Sequence, residues 1–333
     1  MGAGSPTIVD VARRAGVSTG TVSNVLSGTR YVRPETKTRV EIALAELGFR
    51  PNKIARALSQ RRTLTVAMVI PDVANPFFAE LVRTVEQALA ASGYAVLFGN
   101  AGNDPDAERR YLDEFADRRV DAIIAATAGV DPVYLRELAR RLPTILVDRI
   151  VPGWDGDSVT GDSHAGMTAV IDHLVGLGHR VIAFIDGDTS LSSGRERRAA
   201  VVEALARHEL SLAAEADGSF TLDAGHTLAL ELLRGHPKVT AICAANDLQA
   251  LGVLRAAGEL GLGVPDRLGL TGYDDIPYAA FADPPLTTIR QPTKQLAGEI
   301  VQLLHRRLDQ PKATSIQVVV PPRLVVRSSA APL

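Results

Sequence analysis

Apolar residues near the amino terminus recur with the period of a helix and then stop at a glycine. Four of them fall on one face of a predicted first helix: Ile8, Val11, Ala12 and Ala15. Thr7 precedes this stripe as a candidate N-cap, Gly16 interrupts it, and Ser18 offers a second N-cap shortly afterwards. The pattern therefore predicts two short helices joined by a tight turn.

The second predicted helix has one apolar face and one face of small side chains. Val22, Val25 and Leu26 form its buried stripe. The opposite face carries only short polar residues and a glycine: Thr19, Gly20, Ser23, Asn24 and Ser27. Such a face lets a helix lie in the major groove of DNA, because bulky side chains would hold its backbone away from the base edges. With a third helix predicted between Pro34 and Gly48, the segment has the pattern of a helix-turn-helix domain.

From Leu64 onward the pattern changes to short apolar runs that alternate with amphipathic helical stretches. Four runs predict the strands of a first sheet, LTVAMVI, YAVLFGN, DAIIAA and PTILVD, and three predict a second sheet, VIAFID, VTAICAA and LGLTGY. Residues 286–292 are predicted to return the chain to the first sheet, which IQVVV and RLVVR would complete after a helix. This alternation is typical of α/β folds, so the core is predicted to contain two parallel sheets covered by helices.

Length and charge separate these two regions further. The 333 residues exceed one ordinary domain, and the hydrophobic fraction of 46% is enough for sizeable cores. Residues 1–62 hold eleven Lys or Arg against four Asp or Glu, a formal charge of +7, which leaves −9 for the remaining residues. A basic helical segment of this kind suits a polyanion. No secretory signal or membrane-spanning run is recognised, so the protein is expected in the cytoplasm, associated with the nucleoid when it is bound to DNA.

The exact amino-acid sequence of the amino-terminal segment identifies its family more specifically than its hydrophobic periodicity does. The segment from Thr7 to Leu58 closely resembles the DNA-binding headpiece of the LacI/GalR family of bacterial transcriptional repressors. Its sequence is TIVDVARRAGVSTGTVSNVLSGTRYVRPETKTRVEIALAELGFRPNKIARAL. The resemblance implies a small all-α helix-turn-helix domain followed by a periplasmic-binding-protein-like α/β core of two doubly wound parallel-sheet lobes. It implies a headpiece over 1–50, a hinge helix and linker over 51–62, and a core over 63–333. Lobe one is expected at about 63–161 and 292–328, and lobe two at about 162–291.

The resemblance also assigns roles in DNA binding. Thr19, Gly20 and Asn24 match positions that read bases, although a glycine cannot donate to a base edge, so readout at Gly20 is expected to be weak or carried by neighbours, water or DNA shape. The other headpiece residues expected at the DNA surface, three of which match phosphate contacts, are Thr7, Ser18, Thr21, Ser23 and Tyr31. The hinge residues expected in the minor groove are Asn52, Ala55 and Leu58, with Leu58 as a wedge between base pairs.

A second set of candidates lies at predicted strand ends of the core, where doubly wound folds bind ligands. The resemblance implies that these residues line an effector site between the two lobes: Asn75, Phe77, Phe78, Asp148, Arg197, Phe220, Asn246 and Asp274. An arginine and carboxylates hold vicinal hydroxyls, and an aromatic face covers the C–H surface of a sugar ring. A sugar, a sugar phosphate or a nucleoside is therefore the expected effector. Asp247 is left out of the set because it precedes a predicted helix and is expected to cap it.

Three classes of function follow from these features. The first is an effector-controlled transcriptional repressor that binds a pseudo-palindromic operator as a homodimer; the second is a sugar-binding protein without DNA activity, and the third is an enzyme. The basic headpiece favours the first, and no catalytic constellation, cofactor motif or metal-ligand spacing is recognised. Within the first class two alternatives stay open, a purine- or nucleoside-responsive repressor and a global regulator controlled by a protein co-repressor. Trp154, in VPGWDGDS, is expected at the surface or at a dimer contact.

Overall fold

A computed structural model describes residues 6–27, 30–49 and 62–333 of the chain. Contacts between residues divide the chain into two compact units, Met1–Thr63 and Leu64–Leu333. The hinge residues Asn52, Ala55 and Leu58 lie outside the described residues. No helix in the described part of the chain is both long enough and apolar enough to cross a membrane.

The described part of the first unit, residues 6–27, 30–49 and 62–63, contains three short helices around a small apolar core. They are α1 (Ile8–Ala15), α2 (Thr19–Ser27) and α3 (Pro34–Leu47). Thr7 caps α1 through a capping box, in which its backbone N–H donates to Asp10 at 3.0 Å and its hydroxyl accepts from the Asp10 N–H. Gly16 ends α1 in the left-handed conformation, with φ at 64°, which is accessible to glycine without strain. The predicted helix-turn-helix, the N-cap at Thr7 and the interruption of the helix at Gly16 are therefore confirmed.

The first lobe of the second unit is a six-stranded sheet with the order β11-β5-β4-β3-β1-β2. Every strand pairing in it is parallel. Its strands are β1 (Thr65–Ile70), β2 (Ala95–Asn100), β3 (Ala122–Ala125), β4 (Thr144–Val147), β5 (Asp157–Gly161) and β11 (Gln317–Val320). Helices pack on the sheet, and their bounds are α4 (Pro76–Ala90), α5 (Pro105–Asp117), α6 (Pro132–Arg141) and α11 (Thr293–Asp309).

The second lobe is a four-stranded parallel sheet with the order β7-β6-β8-β9. Its strands are β6 (Ile182–Ile185), β7 (Ala214–Ala216), β8 (Ala241–Ala244) and β9 (Gly269–Thr271). Helices α7 (Ser163–Gly176) and α8 (Ser192–Arg207) pack together, as do α9 (Leu222–Gly235) and α10 (Asp247–Glu259). A short 3-10 helix, Pro277–Ala280, follows the last strand of this sheet.

The strand predicted from RLVVR does not join the first sheet, so that part of the sequence interpretation is wrong. β12 (Arg323–Val325) instead pairs antiparallel with β10 (Thr288–Arg290) in a separate two-stranded sheet. Only the IQVVV segment, as β11, extends the first sheet, beside β5. The reason lies in Pro321 and Pro322 between the two strands, because proline lacks the N–H that a continuing ladder needs.

The chain end is fixed on the second lobe rather than the first. The Ser329 hydroxyl donates to the Leu270 carbonyl at 2.6 Å and accepts from the Thr287 N–H at 2.8 Å. The chain therefore passes between the two sheets three times, after β5, near Gln291 and after β11. The residue limits of the two lobes that the sequence suggests remain a prediction.

Candidate functional site

All eight residues that the sequence predicted for the effector site line one small cleft of the second unit. The structure adds two further residues, Arg149 and Ser193. The cleft lies where parallel strands end: Asp148 follows β4, Asn246 follows β8, and Asp274 lies beyond β9. Carboxyl ends of parallel strands are the usual place for ligands in doubly wound folds, because the connecting loops converge there.

Arg197 is one of two buried arginines that line the cleft. It lies on α8 with 4% of its surface exposed, and its Nη1 donates to the Ala245 carbonyl at 2.8 Å. Its guanidinium carbon is 3.9 Å from the centre of the Tyr273 ring, within the range of a cation–π contact. Its Nη2 lies 3.8 Å from Asp274 Oδ1, and its Nε has no hydrogen-bond partner among the described residues. A buried guanidinium with an unused donor is suited to a polar ligand.

Asp274 is buried opposite Arg197 in an unusual backbone conformation. Its φ is 111°, which aspartate rarely adopts, and its backbone N–H donates to the Ile289 carbonyl at 2.8 Å. The Gln291 side-chain amide donates to Asp274 Oδ1 at 2.9 Å. Burial raises the pKa of Asp274 to about 6, and the Arg197 charge and the Gln291 hydrogen bond oppose that rise. The carboxyl group therefore changes its protonation state close to neutral pH.

Arg149 is a cleft residue that sequence reasoning missed, although the motif LVDR places it directly after Asp148. It is buried, and its Nη1 donates to the Thr127 carbonyl at 3.0 Å. Its Nε has no hydrogen-bond partner in the described part of the chain, although it lies 3.8 Å from Asp148 Oδ2 in an ion pair. Asp148 has φ at 62°, and this left-handed residue begins the turn that carries Arg149. The second guanidinium means that two cations, not one, are available to a ligand in the cleft.

The loop that holds Arg149 is itself held by a buried carboxylate. Glu108 Oε2 accepts hydrogen bonds from Ala128 N–H at 2.8 Å, Thr127 Oγ1 at 3.1 Å and Val130 N–H at 3.1 Å. Burial raises the pKa of Glu108, and these hydrogen bonds oppose the rise. The Thr127 carbonyl oxygen accepts the hydrogen bond from the Arg149 guanidinium. Because Glu108 holds the Thr127 loop, it fixes this oxygen and thereby orients Arg149.

Three phenylalanines form the apolar walls of the cleft. Phe77 and Phe78 meet edge to face, with ring centres 5.0 Å apart. The Phe220 ring lies close to both guanidinium groups. Its centre is 5.7 Å from the guanidinium carbon of Arg149 and 5.5 Å from the guanidinium carbon of Arg197. A Cβ at Gly187 would lie only 2.1 Å from the Phe220 ring, so the absence of a side chain at Gly187 allows this ring position.

The two asparagines of the cleft also serve the helices that follow them. Asn75 caps α4 by accepting from the Phe77 N–H at 3.0 Å. Asn246 caps α10 in a capping box with Gln249, and its amide Nδ2 donates to the Phe220 carbonyl at 3.1 Å. Asn246 therefore orients the Phe220 loop as well as lining the cleft.

Asp247 does not cap α10, because Asn246 is the N-cap, so the capping role expected for Asp247 is wrong. Asp247 is the first helical residue, and it is fully buried outside the cleft lining. Its Oδ2 accepts from the Ile276 N–H at 2.8 Å and its Oδ1 from the Thr288 hydroxyl at 2.5 Å. These bonds join α10 to two later segments of the chain.

The space inside the cleft is small. The ten lining residues leave about 10 Å³, close to the volume that one water molecule requires. A cavity of about 490 Å³ adjoins it and shares four of its residues: Asn75, Phe78, Arg149 and Phe220. A ring-shaped ligand therefore enters the inner cleft only if Phe220 moves or the lobes separate.

Helix α2 presents the short polar face that the sequence predicted. Thr19, Gly20 and Ser23 are exposed, and Thr21 and Asn24 are half-buried. Ser18 Oγ accepts from the Thr21 N–H at 3.2 Å, which supports the start of the helix. A Cβ at Gly20 would meet only Ser18 Oγ, at 3.7 Å, so packing within the unit does not require glycine there.

Two other predicted DNA-contact residues stand at the surface of the first unit. Tyr31 is 87% exposed, which is unusual for a large aromatic residue. Thr7 is exposed too, but its hydroxyl donates to Asp10 Oδ2 at 2.7 Å as part of the α1 cap. A phosphate contact by Thr7 would therefore compete with, or share, this capping hydrogen bond.

The chain matches two protein-family models. Residues 7–52 match bacterial regulatory proteins of the lacI family, and residues 171–330 match a periplasmic binding protein-like domain. The ribose operon repressor of Bacillus subtilis is 35% identical over 94% of this chain and 96% of its own length. The repressor PurR of Erwinia tasmaniensis is 33% identical over 98% of this chain and 97% of its own length.

Solved structures agree with these matches. A Lac repressor dimer bound to operator and an anti-inducer has a TM-score of 0.88 and 28% identity, with 98% of this chain and 99% of that chain covered. A LacI-family regulator from Enterococcus faecium with bound ribose has a TM-score of 0.73 and 29% identity, with 81% of this chain and 99% of that chain covered. The predicted fold class, a helix-turn-helix domain and an α/β core of parallel sheets, is confirmed by these findings.

Proposed function

Since this chain belongs to the lacI family of bacterial regulatory proteins, we propose that it is a transcriptional repressor whose operator binding is controlled by a neutral sugar in the cleft of its core. The observation that carries the sugar assignment is the convergence of two guanidinium groups and two carboxyl groups between aromatic walls. Its relatives are repressors, and no catalytic step is proposed for this chain.

The balance of charge in the cleft favours a neutral, polyhydroxyl ligand. Arg149 and Arg197 bring two positive charges, and Asp148 and Asp274 bring two carboxyl groups. A sugar hydroxyl both donates and accepts hydrogen bonds, so it satisfies a guanidinium and a carboxylate together. A phosphate dianion would gain from the arginines but would be repelled by both carboxylates. A relative named the ribose operon repressor and a similar regulator with bound ribose support a pentose, for which Phe220 would move or the lobes would separate.

A purine is the second candidate. The adjoining cavity of about 490 Å³ is bordered by Phe78 and Phe220, whose faces are suited to an aromatic base. Repressors named PurR are also 33% identical to this chain over nearly its whole length. The two candidates differ in what must enter the inner polar cleft, hydroxyl groups in one case and a flat base in the other.

A thermal-shift series tests the proposal. Each of D-ribose, D-glucose, D-galactose, hypoxanthine and guanine is added to the full-length protein, and release of a labelled operator fragment is measured in parallel. A ligand that binds only the folded state raises the melting temperature by mass action. A rise with a sugar, together with a change in operator affinity, is expected. A rise with a purine alone would replace the sugar, and no rise with any of them would favour a protein co-repressor.

Binding of the sugar is expected to depend on pH through Asp274. The charged carboxylate is the form that accepts sugar hydroxyls, and its pKa in the ligand-free protein is about 6. At pH 8 Asp274 is charged and binding is tight; at pH 5 most molecules must lose a proton before they bind, so the association constant falls about tenfold. Calorimetry at constant ionic strength measures this ratio. Asp274→Asn should bind weakly at both pH values, and an unchanged pH dependence in that variant would assign the titration to another group.

We further propose that the protein acts as a homodimer on a pseudo-palindromic operator. One headpiece offers a short reading helix with a glycine at one reading position, so two half-sites are needed for tight specific binding. The Lac repressor to which this chain is similar is a dimer on its operator. The +7 charge of residues 1–62, doubled in a dimer, should make operator affinity fall steeply with added salt.

An exposed aromatic pair beside the 3-10 helix is the expected dimer contact in the core. Phe281 is 88% exposed and Tyr278 is 59% exposed, and adjacent exposed aromatic residues are typical of interfaces. Phe281→Asp should raise the dimer dissociation constant at least tenfold in analytical ultracentrifugation, because a charge would replace a buried ring. Val202→Asp, on an exposed part of α8, is the control and should remain dimeric. A dimer of unchanged affinity in the Phe281 variant would place the interface elsewhere.

A further inference from the structure

A second cavity lies in the first lobe and shares no residue with the effector cleft. Its volume is about 350 Å³, within the range of small-molecule pockets. It is found at the amino ends of β4 and β5, beside Thr144 and Asp157, whereas the effector cleft lies at the carboxyl ends of the strands. Its lining includes four arginines, a tryptophan and an aspartate: Arg136, Arg140, Arg141, Arg307, Trp154 and Asp155.

The wall of this cavity is rich in arginine with few partners. Arg136 and Arg140 lie one helical turn apart on α6, and Arg141 ends that helix. Arg136 donates through Nη1 to the Pro152 carbonyl at 2.6 Å, and none of the three arginines has an ion pair with a carboxylate of the described residues. Asp155 is the acidic side chain left to oppose them.

The fourth arginine of the cavity wall, Arg307, already has a carboxylate partner within the protein. Arg307 Nε donates to Asp157 Oδ2 at 2.7 Å, and its Nη1 donates to the Ala313 and Pro311 carbonyls at 2.7 Å and 3.1 Å. The cavity therefore has a positive excess that comes from α6. This excess stands out because residues 63–333 have a formal charge of −9.

One face of the cavity is built by the single tryptophan of the chain. Trp154 is buried, with 7% of its surface exposed, so of the two positions expected from the sequence, the surface or a dimer contact, the surface position is wrong. Its indole Nε1 donates to the Asp157 carbonyl at 3.2 Å. A Cβ at Gly156 would lie 2.5 Å from the indole ring, so glycine is what allows the turn to fold against it. The aromatic wall is thus held in place without a ligand.

We propose that this cavity is a second small-molecule site, which binds a phosphate monoester. Guanidinium groups bind phosphate oxygens in pairs, and the side chains of Arg140 and Arg141, which both line the cavity, are suited to form such a fork. The indole face covers the apolar part of the bound molecule. The cavity is open on one side, where Arg140 and Arg141 are exposed, but its concave shape suits a small molecule better than the convex backbone of DNA, which needs a basic surface and no cavity. The site is independent of the effector cleft and of the function proposed for it.

The lone tryptophan makes the test direct, because its fluorescence reports on this cavity. D-ribose 5-phosphate is titrated into the full-length protein at constant ionic strength, with D-ribose and sodium sulfate as comparison titrants. The sugar phosphate should change the Trp154 emission with saturation in the millimolar range or tighter. D-ribose, which lacks the phosphate group, should not bind in this cavity and should leave the Trp154 emission unchanged.

Two variants give the decisive comparison. In the double variant Arg140→Gln and Arg141→Gln, which removes the proposed fork, the association constant for D-ribose 5-phosphate should fall at least tenfold. Arg110→Gln removes an exposed charge from α5 in the same lobe and should leave it unchanged. The cleft variant Arg197→Ala should also leave it unchanged, which separates this site from the proposed effector site. Absence of a saturable change, an equal response to sulfate, or an equal loss in the Arg110 variant would overturn the proposal.

Discussion

Arg197→Ala is expected to abolish the response to sugar while operator binding by the sugar-free protein stays within about twofold of wild type. The Arg197 guanidinium is buried between Phe220 and Tyr273, and its free Nε faces a site from which water is largely excluded. Loss of two charge-assisted hydrogen bonds, each worth about 1.5–3 kcal/mol, lowers sugar affinity about 100-fold or more. Calorimetry with the sugar and a filter-binding assay with the operator measure the two effects.

Controls separate ligand binding from folding. Alanine at 197 also removes the hydrogen bond to the Ala245 carbonyl and leaves a gap against Tyr273, so the melting temperature of the variant must be recorded. Arg197→Met fills most of that gap without the charge and should lose sugar binding equally. Arg195→Ala, an exposed arginine two residues earlier, should respond normally. If the methionine variant folds and still releases the operator on sugar addition, the cleft is not the effector site.

Asn24→Ala is expected to reduce discrimination between operator and random DNA about tenfold. Asn24 lies on the polar face of α2, and asparagine pairs with adenine through two hydrogen bonds worth roughly 1–3 kcal/mol. Electrophoretic or fluorescence titrations of both DNA types at one salt concentration give the ratio. Because the random-sequence affinity comes from charge, it should change little.

The neighbouring Ser23→Ala variant is the matched control for Asn24. Ser23 is exposed on the same face, and its proposed contact is with phosphate, so its loss should weaken operator and random DNA alike. An equal weakening of both DNA types by the Asn24 variant would instead mean that Asn24 contacts only the backbone. The two variants together therefore distinguish base reading from positioning.

The helix-turn-helix and most core strands were predictable because their signals are local. The α1 cap uses Thr7 and Asp10, three residues apart, and the turn after it needs only Gly16. Likewise β1, β3 and β8 are continuous apolar runs, which in a parallel sheet covered on both faces identify a strand directly. By contrast, the polar segment Asp157–Gly161 forms β5 without any such run, and it was missed.

The cleft residues were identified in a different way. Their positions at predicted strand ends, with the family resemblance, sufficed to name eight side chains that the structure brings together. Arg149 was missed because its neighbour Asp148 already satisfied the expected motif. The nearly filled interior was also invisible in the sequence, since it depends on where the Phe220 ring lies relative to Arg149 and Arg197.

By itself the sequence determined the elements, their caps and the residue types at the strand ends, because a hydrogen-bonding cap or an apolar period is complete within a few residues. Only the tertiary structure decided which strands pair, as in the pairing of β12 with β10 instead of the first sheet. It also decided that the end of α6, the Trp154 turn and Arg307 enclose one basic cavity, although Arg140 and Arg307 are far apart in the chain. Such contacts arise from packing between distant segments, whose geometry no local pattern encodes.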